Sequence, residues 1–334
     1  MKATYAKYLT LAALLIACAC ALVACKTEVD TLPEEAISFR SHATDTTEAS
    51  ASRAVIESNS DLQRACSTGG EAIAIWGVVN DDANLNSLLF DNTALTFSEA
   101  TGWGYTPTRY WIREARHDFW ALYPQPASGL SFNPEEELLE WADIELGTDN
   151  NIDVMSATAT RNLSVEPTNF SPVALPMTHH LSLLEFRFVN ASDSNVSSIG
   201  EVSLDGLFYR GVLEVSLAAG GKVFVDESER VAEGAGRYVG RCSATNIPVN
   251  ISTHYNLFED HGSVVVMPQY VNKQPIYFNI DVAGVRSRVN LGQMSTAIEW
   301  EPGKKYIYTL TRTTSEITFD VNVVDWVDDM IELE

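Results

Sequence analysis

Beyond residue 53, apolar and polar positions alternate with period two along most of the chain. Leu184, Phe186 and Phe188 face one way, while Glu185, Arg187 and Val189 face the other. Leu213, Val215 and Leu217 alternate with Glu214 and Ser216, and Ile276, Phe278, Ile280 and Val282 with Tyr277, Asn279 and Asp281. Tyr306, Tyr308 and Leu310 repeat the pattern, as do Ile317, Phe319, Val321 and Val323. Strands with one polar and one apolar face belong to antiparallel sheets packed face to face. The pattern therefore predicts an all-β protein built of sandwiches. Upstream, residues 26–52 are polar and rich in Thr, Ser, Ala and Glu. That segment reads as a tether with at most one strand, where Ile37 and Phe39 alternate with polar neighbours.

One helix start is predicted. Asn133-Pro134-Glu135-Glu136-Glu137 places a capping residue, a first-turn proline and first-turn acids before Leu138, Trp141 and Ala142. The glutamate run is thereby a helix terminus rather than a catalytic carboxylate pair. The segment from Glu166 to Pro176 carries Pro167, Pro172 and Pro176 and separates two strand-rich halves. The predicted division is a signal at 1–24, a tether at 25–52, and two tandem β-sandwich domains at 53–172 and 173–334.

Composition narrows the classes. With 46% hydrophobic residues in 334, there is apolar area enough to offset chain entropy, which excludes collagen-like or wholly disordered chains. A formal net charge of −23 supplies no basic footprint for nucleic acid. The acidic surface suits solubility near an anionic envelope.

The first thirty residues predict the compartment. Lys2 and Lys7 precede an apolar run from Tyr8 to Ala24, the pattern of a signal peptide rather than a spanning helix. Leu22-Val23-Ala24-Cys25 resembles a lipobox, and polarity changes at once with Lys26, Glu28 and Asp30. The resemblance implies a bacterial lipoprotein cleaved before Cys25, whose thiol carries the lipid anchor in the outer membrane. Cys18 and Cys20 leave with the signal, so Cys66 and Cys242 remain, either paired as an exported disulfide or as two unpaired, partly buried thiols.

A series of segments resembles the Bacteroidota fimbrillin-like proteins, the lipoprotein subunits of type V pili. In the first half these are Ile75-Trp76-Gly77, Tyr110-Trp111, Phe119-Trp120-Ala121-Leu122-Tyr123-Pro124 and Asn151-Ile152-Asp153-Val154-Met155-Ser156-Ala157. In the second they are Thr178-His179-His180-Leu181-Ser182, Val265-Val266-Met267-Pro268-Gln269, Trp300-Glu301-Pro302-Gly303-Lys304-Lys305-Tyr306 and Asp325-Trp326. The resemblance covers essentially the whole mature chain. It implies two transthyretin-like β-sandwich domains, a non-enzymatic role in adhesion as a fimbrial subunit, tip or anchor, and a place on the cell surface or in the fimbrium.

The resemblance also implies a mechanism. A surface protease cuts after an arginine near the mature N-terminus and releases the first strand, and a strand from a sibling subunit fills the vacated groove. Arg53-Ala54, within Ala49-Ser50-Ala51-Ser52-Arg53, is the best matching bond; Arg40 ranks second and Arg64 third. A donor strand would lie near the C-terminus. There the parity of apolar positions slips after Val323, which predicts a bulge or a strand end before the acidic stretch from Val327. The expected partners are sibling subunits, the outer membrane through the anchor, and a host or microbial surface ligand.

Other chemistries find little support. Trp111, Phe119, Trp120 and Tyr123 are predicted to fill a core. The alternative is a glycan-binding surface lipoprotein, which requires Trp103, Tyr105 and Trp111 to be exposed together. His179 and His180 would project to opposite faces of a strand, a poor metal geometry. There is no G-x-S-x-G elbow, no H-E-x-x-H pair and no calcium loop, so neither catalytic residue nor cofactor is expected.

Overall fold

The computed structural model describes residues 34–40, 55–80, 86–260, 262–294, 299–326 and 331–333. Residues 37–334 form one compact unit. Nearly all of its regular structure is strand, as the alternation predicts.

Among the described residues, an eight-stranded sheet dominates the first half. Its order is Phe39–Arg40, Val173–His179, Met155–Asn162, Arg116–Tyr123, Ile73–Asn80, Ser87–Ser98 and Gly102–Gly104, with Ile331–Leu333 also paired to Val173–His179. The central strand Ile73–Asn80 is buried on both faces, which explains its nearly continuous apolar run. On one face, Trp76 and Trp120 sit opposite each other in register and meet Phe132. On the other, Ile75, Phe119 and Tyr123 join Ile37, Phe39 and Leu62 in a second apolar cluster.

In the second half, two sheets face each other. One runs Asn250–Asn256, Ser182–Asn190, Lys304–Arg312 and Ile317–Asp325; the other runs Tyr238–Gly240, Val196–Asp205, Tyr277–Val282 and Val285–Asn290. Phe186 joins them, stacked 4.6 Å from Phe278 and 5.0 Å from Tyr308. A further four-stranded sheet pairs Leu130–Asn133 and Leu138–Glu145 with Arg210–Ser216 and Gly220–Val225. It therefore takes strands from both sides of the proline-bearing segment.

The helix predicted after Asn133 is absent. Asn133 does cap, accepting from the N–H groups of Glu135 (3.0 Å) and Glu136 (3.3 Å), but the capped residues form a turn. Glu137 adopts a left-handed φ of 52°, which ends any helical course, and Leu138–Glu145 leaves as a strand burying Leu139 and Trp141. An Asn cap serves a turn as well as a helix, and period two then governs the apolar residues.

A nine-residue helix, Asn59–Ser67, stands where none was expected. Its signal is in the sequence: Ser58 caps the N–H of Asp61, and Leu62, Ala65 and Cys66 share the buried face. Cys66 and Cys242 are both buried free thiols, and burial pushes Cys66 up to about 12, with the charge of Glu71 adding to it.

Near the end, Ile317–Asp325 pairs with Lys304–Arg312 without interruption, so the slip after Val323 marks a strand end and not a bulge. Trp326 then turns inward.

Candidate functional site

The candidate site is a short strand seated in an apolar groove. Ile37 and Phe39, two positions apart, are 2% and 5% exposed. The Phe39 ring meets Phe90, Tyr105 and Phe119 edge-on, with centroids 5.8, 5.8 and 5.9 Å away. Four elements build this pocket: Phe90 comes from Ser87–Ser98, Tyr105 from just past Gly102–Gly104, Phe119 from Arg116–Tyr123, and Val173 opens the neighbouring strand.

Hydrogen bonds also hold the segment. The Ile37 N–H donates to the Arg109 carbonyl (2.9 Å), and the Val173 N–H to the Ser38 carbonyl (2.8 Å). The Tyr105 hydroxyl donates to the Ile37 carbonyl (2.7 Å). Phe39 and Arg40 run parallel to Val173 and Ala174. Burying each of the two apolar side chains is worth about 1.5–3 kcal/mol. The strand is thus seated by two buried side chains and by backbone pairing to one neighbouring strand.

Just downstream of Arg53, Ile56 and Glu57 are clamped. The Ile56 N–H donates to buried Asp153 (3.3 Å), and Glu57 pairs with Lys305 at 2.6 Å. Lys305 also faces Glu185 at 3.3 Å. Burial lowers the Lys305 pKa, but the two carboxylates outweigh it and leave the ammonium above its ordinary value. Asp153 also bonds His179 Nδ1 (3.0 Å), whose ring stacks on Trp326. His180 points elsewhere, to Ser156 Oγ at 2.7 Å, so the two histidines do diverge as predicted. Burial, then the charge of His179, pulls His180 down to about 4.

Cys25, Arg53 and Ala54 lie outside the described residues. Arg40 is exposed at the end of the seated strand. Arg64 lies inside the helix Asn59–Ser67, ion-paired to Asp61 at 2.5 Å, where no protease can thread it in extended form. Of the rings that a glycan platform requires, Trp111 is buried while Trp103 and Tyr105 are half-buried, and Tyr105 is engaged with Ile37. They form no shared exposed face. Phe119, Trp120 and Tyr123 are buried as expected.

Among the described residues no group of His, Cys, Asp or Glu could hold a metal ion, and no helix is long and apolar enough to cross a membrane. A fimbrillin-like family model matches residues 52–326. The chain belongs to the fimbrillin-like family. Solved structures of the same fold include a protein ascribed to cell adhesion from Bacteroides uniformis, 17% identical, covering 88% of this chain and 99% of that one with a TM-score of 0.53. A fimbrial protein from Bacteroides vulgatus is 16% identical over 76% of this chain and 92% of its own, with a TM-score of 0.51. A second protein ascribed to adhesion, from Bacteroides ovatus, is 14% identical over 78% and 88%, with a TM-score of 0.50. No curated protein matches this fimbrillin-like chain.

Proposed function

We propose that the protein is a non-enzymatic fimbrial subunit of the cell surface, lipidated at Cys25, cut between Arg53 and Ala54, and assembled by strand addition. Family membership and structural relatives ascribed to fimbriae and adhesion support the subunit role. One observation carries the mechanism: Ile37 and Phe39 fill an apolar groove, yet they stand upstream of Arg53, while the body is clamped from Val55 onward. Cutting between seat and clamp leaves the short strand bound without a covalent link, by two buried side chains, a few hydrogen bonds and a two-residue pairing. A longer strand with more alternating side chains and more backbone bonds displaces it. In this reading, residues 53–172 and 173–334 are two domains that share the four-stranded sheet. The partners are sibling subunits and the outer membrane, and the adhesion ligand is a host or microbial surface.

The buried state of Trp111 disfavours the glycan-platform alternative. The strand Ile317–Asp325 is committed to its own sheet through nine register pairs and is not a free donor in this conformation.

A direct test is to cut the purified mature chain with an arginine-specific protease and follow residues 25–53 by mass. If the reading holds, Arg53 is cut first, the fragment stays associated, and a strand-forming peptide exchanges with it. Resistance of Arg53 at protease levels that cut Arg40, or loss of the fold on cutting, would contradict it.

A further inference from the structure

Strand Val173–His179 has three partners in succession. Phe39 and Arg40 run parallel to Val173 and Ala174; Ile331, Glu332 and Leu333 run antiparallel to Met177, Pro176 and Leu175; Met155 and Ser156 pair with His179 and Thr178. Backbone geometry assigns these partners to edges. Along a strand, residues two apart direct their N–H groups to the same side. The His180 N–H donates to the Val154 carbonyl, so the even-numbered positions serve the Met155–Asn162 edge. The Val173 N–H donates to the Ser38 carbonyl, so the odd-numbered positions serve the opposite edge. Pro176 has no N–H to give, so pairing centred on it must use Leu175 and Met177, both odd. Ile331–Leu333 therefore lies on the same edge as Phe39–Arg40. The two strands abut, with Leu333 opposite Leu175 and Arg40 opposite Ala174.

We infer that Ile331–Leu333 is an intramolecular plug: the chain's own last described strand closes the part of the acceptor edge that the removable strand leaves open. This rests on the strand-addition reading and goes beyond it. Removal of Ile37–Arg40 frees only Val173 and Ala174 on that edge, and any incoming strand that extends further must first displace Ile331–Leu333. Trp326 also meets strand Val173–His179: its ring is stacked on His179, the strand's last residue, and its main-chain N–H donates to the Gly303 carbonyl (2.9 Å). Val173, Leu175 and Met177 are buried beneath the edge, so a guest strand that runs its full length lies over the groove those side chains floor. A subunit with its plug in place resists strand uptake, and release of the plug licenses it.

The test uses the mature chain, a version ending at Trp326, and a full-length Ile331→Pro variant, which removes one pairing N–H without touching the body. Hydrogen exchange at Leu175 and Met177 is read first. It is expected to rise by about tenfold or more in both altered chains, with Ile73–Asn80 unchanged. Equal exchange in all three chains overturns the plug. Each chain is then cut after Arg53, and the affinity of a synthetic peptide of residues 35–44 is measured. That peptide reaches past Ala174 only when the plug has left. The two altered chains are expected to bind it at least about tenfold more tightly than the intact chain. Equal binding by all three overturns the inhibitory role. Binding by none overturns the strand-addition reading instead, and the exchange result alone still decides whether Ile331–Leu333 occupies the edge.

Discussion

The imidazole of His179 lies flat against the indole of Trp326, with ring centroids 4.5 Å apart and planes 13° from parallel. This contact joins the end of strand Val173–His179 to the exit of Ile317–Asp325. Through Asp153 it reaches the N–H of Ile56. Ile56 and Trp326, 270 positions apart, are thus tied to one buried carboxylate–imidazole pair.

Replacing Trp326 with Ala removes a ring that is 4% exposed and uncovers that pair. Truncations of buried aromatic rings cost about 3–5 kcal/mol. The W326A protein is expected to unfold at a clearly lower urea concentration with an unchanged denaturant slope. A shift within experimental error would mean that the stacking is incidental.

Phe39→Ala empties the centre of the groove while leaving the backbone bonds of the seated strand available. The Val173 amide, which donates to Ser38, is expected to exchange at least about tenfold faster, with little change in the second-half sandwich. Global unfolding in its place would show that the strand is an integral part of the fold and no removable element.

Gly221 borders the buried His180–Ser156 pair. A Cβ there would sit 2.3 Å from His180 Nε2 and 2.5 Å from Ser156 Oγ. Gly221→Val is expected to lower the melting temperature by several degrees or more, because the two side chains it would displace are buried and hydrogen-bonded to each other. Thermal unfolding followed by circular dichroism reads it.

Stability is expected to fall on mild acidification. Burial holds His180 and His117 near 4, against 6.5 for an unburied imidazole. Between those values the unfolded chain takes up protons that the fold refuses, so lowering the pH favours unfolding. The loss begins below about 6.5, amounts to at most roughly 1.4 kcal/mol per pH unit for each imidazole, and levels off below about 4. Urea midpoints across that window check it, and His180→Gln should make the curve shallower.

Much of the fold is legible in the sequence because alternation is a local property. Phe186, Phe278, Tyr306 and Tyr308 announce their strands, and Ile37 with Phe39 announces the seated one. The helix Asn59–Ser67 was also readable, through Ser58 and Asp61. The Asn133 turn was not, because capping side chains serve turns and helices alike and the decision falls to the packing of Leu139 and Trp141. Long-range pairing was out of reach as well. Leu138–Glu145 meets Arg210–Ser216, and Ile331–Leu333 meets Leu175–Met177, through register choices that no local pattern encodes. For the site, the seated strand could be read, while the clamp of Ile56 and Glu57 by Asp153 and Lys305 depends on residues about 100 and 250 positions away.

The most direct measurement is the mass of the mature protein from native cell envelopes, with its N-terminal peptide identified. A chain that begins at Ala54 without lipid, alongside a lipidated precursor that begins at Cys25, is the expected result. A diacylated Cys25 on a chain that is never cut, even in assembled fimbriae, would contradict release of the Ile37–Phe39 strand.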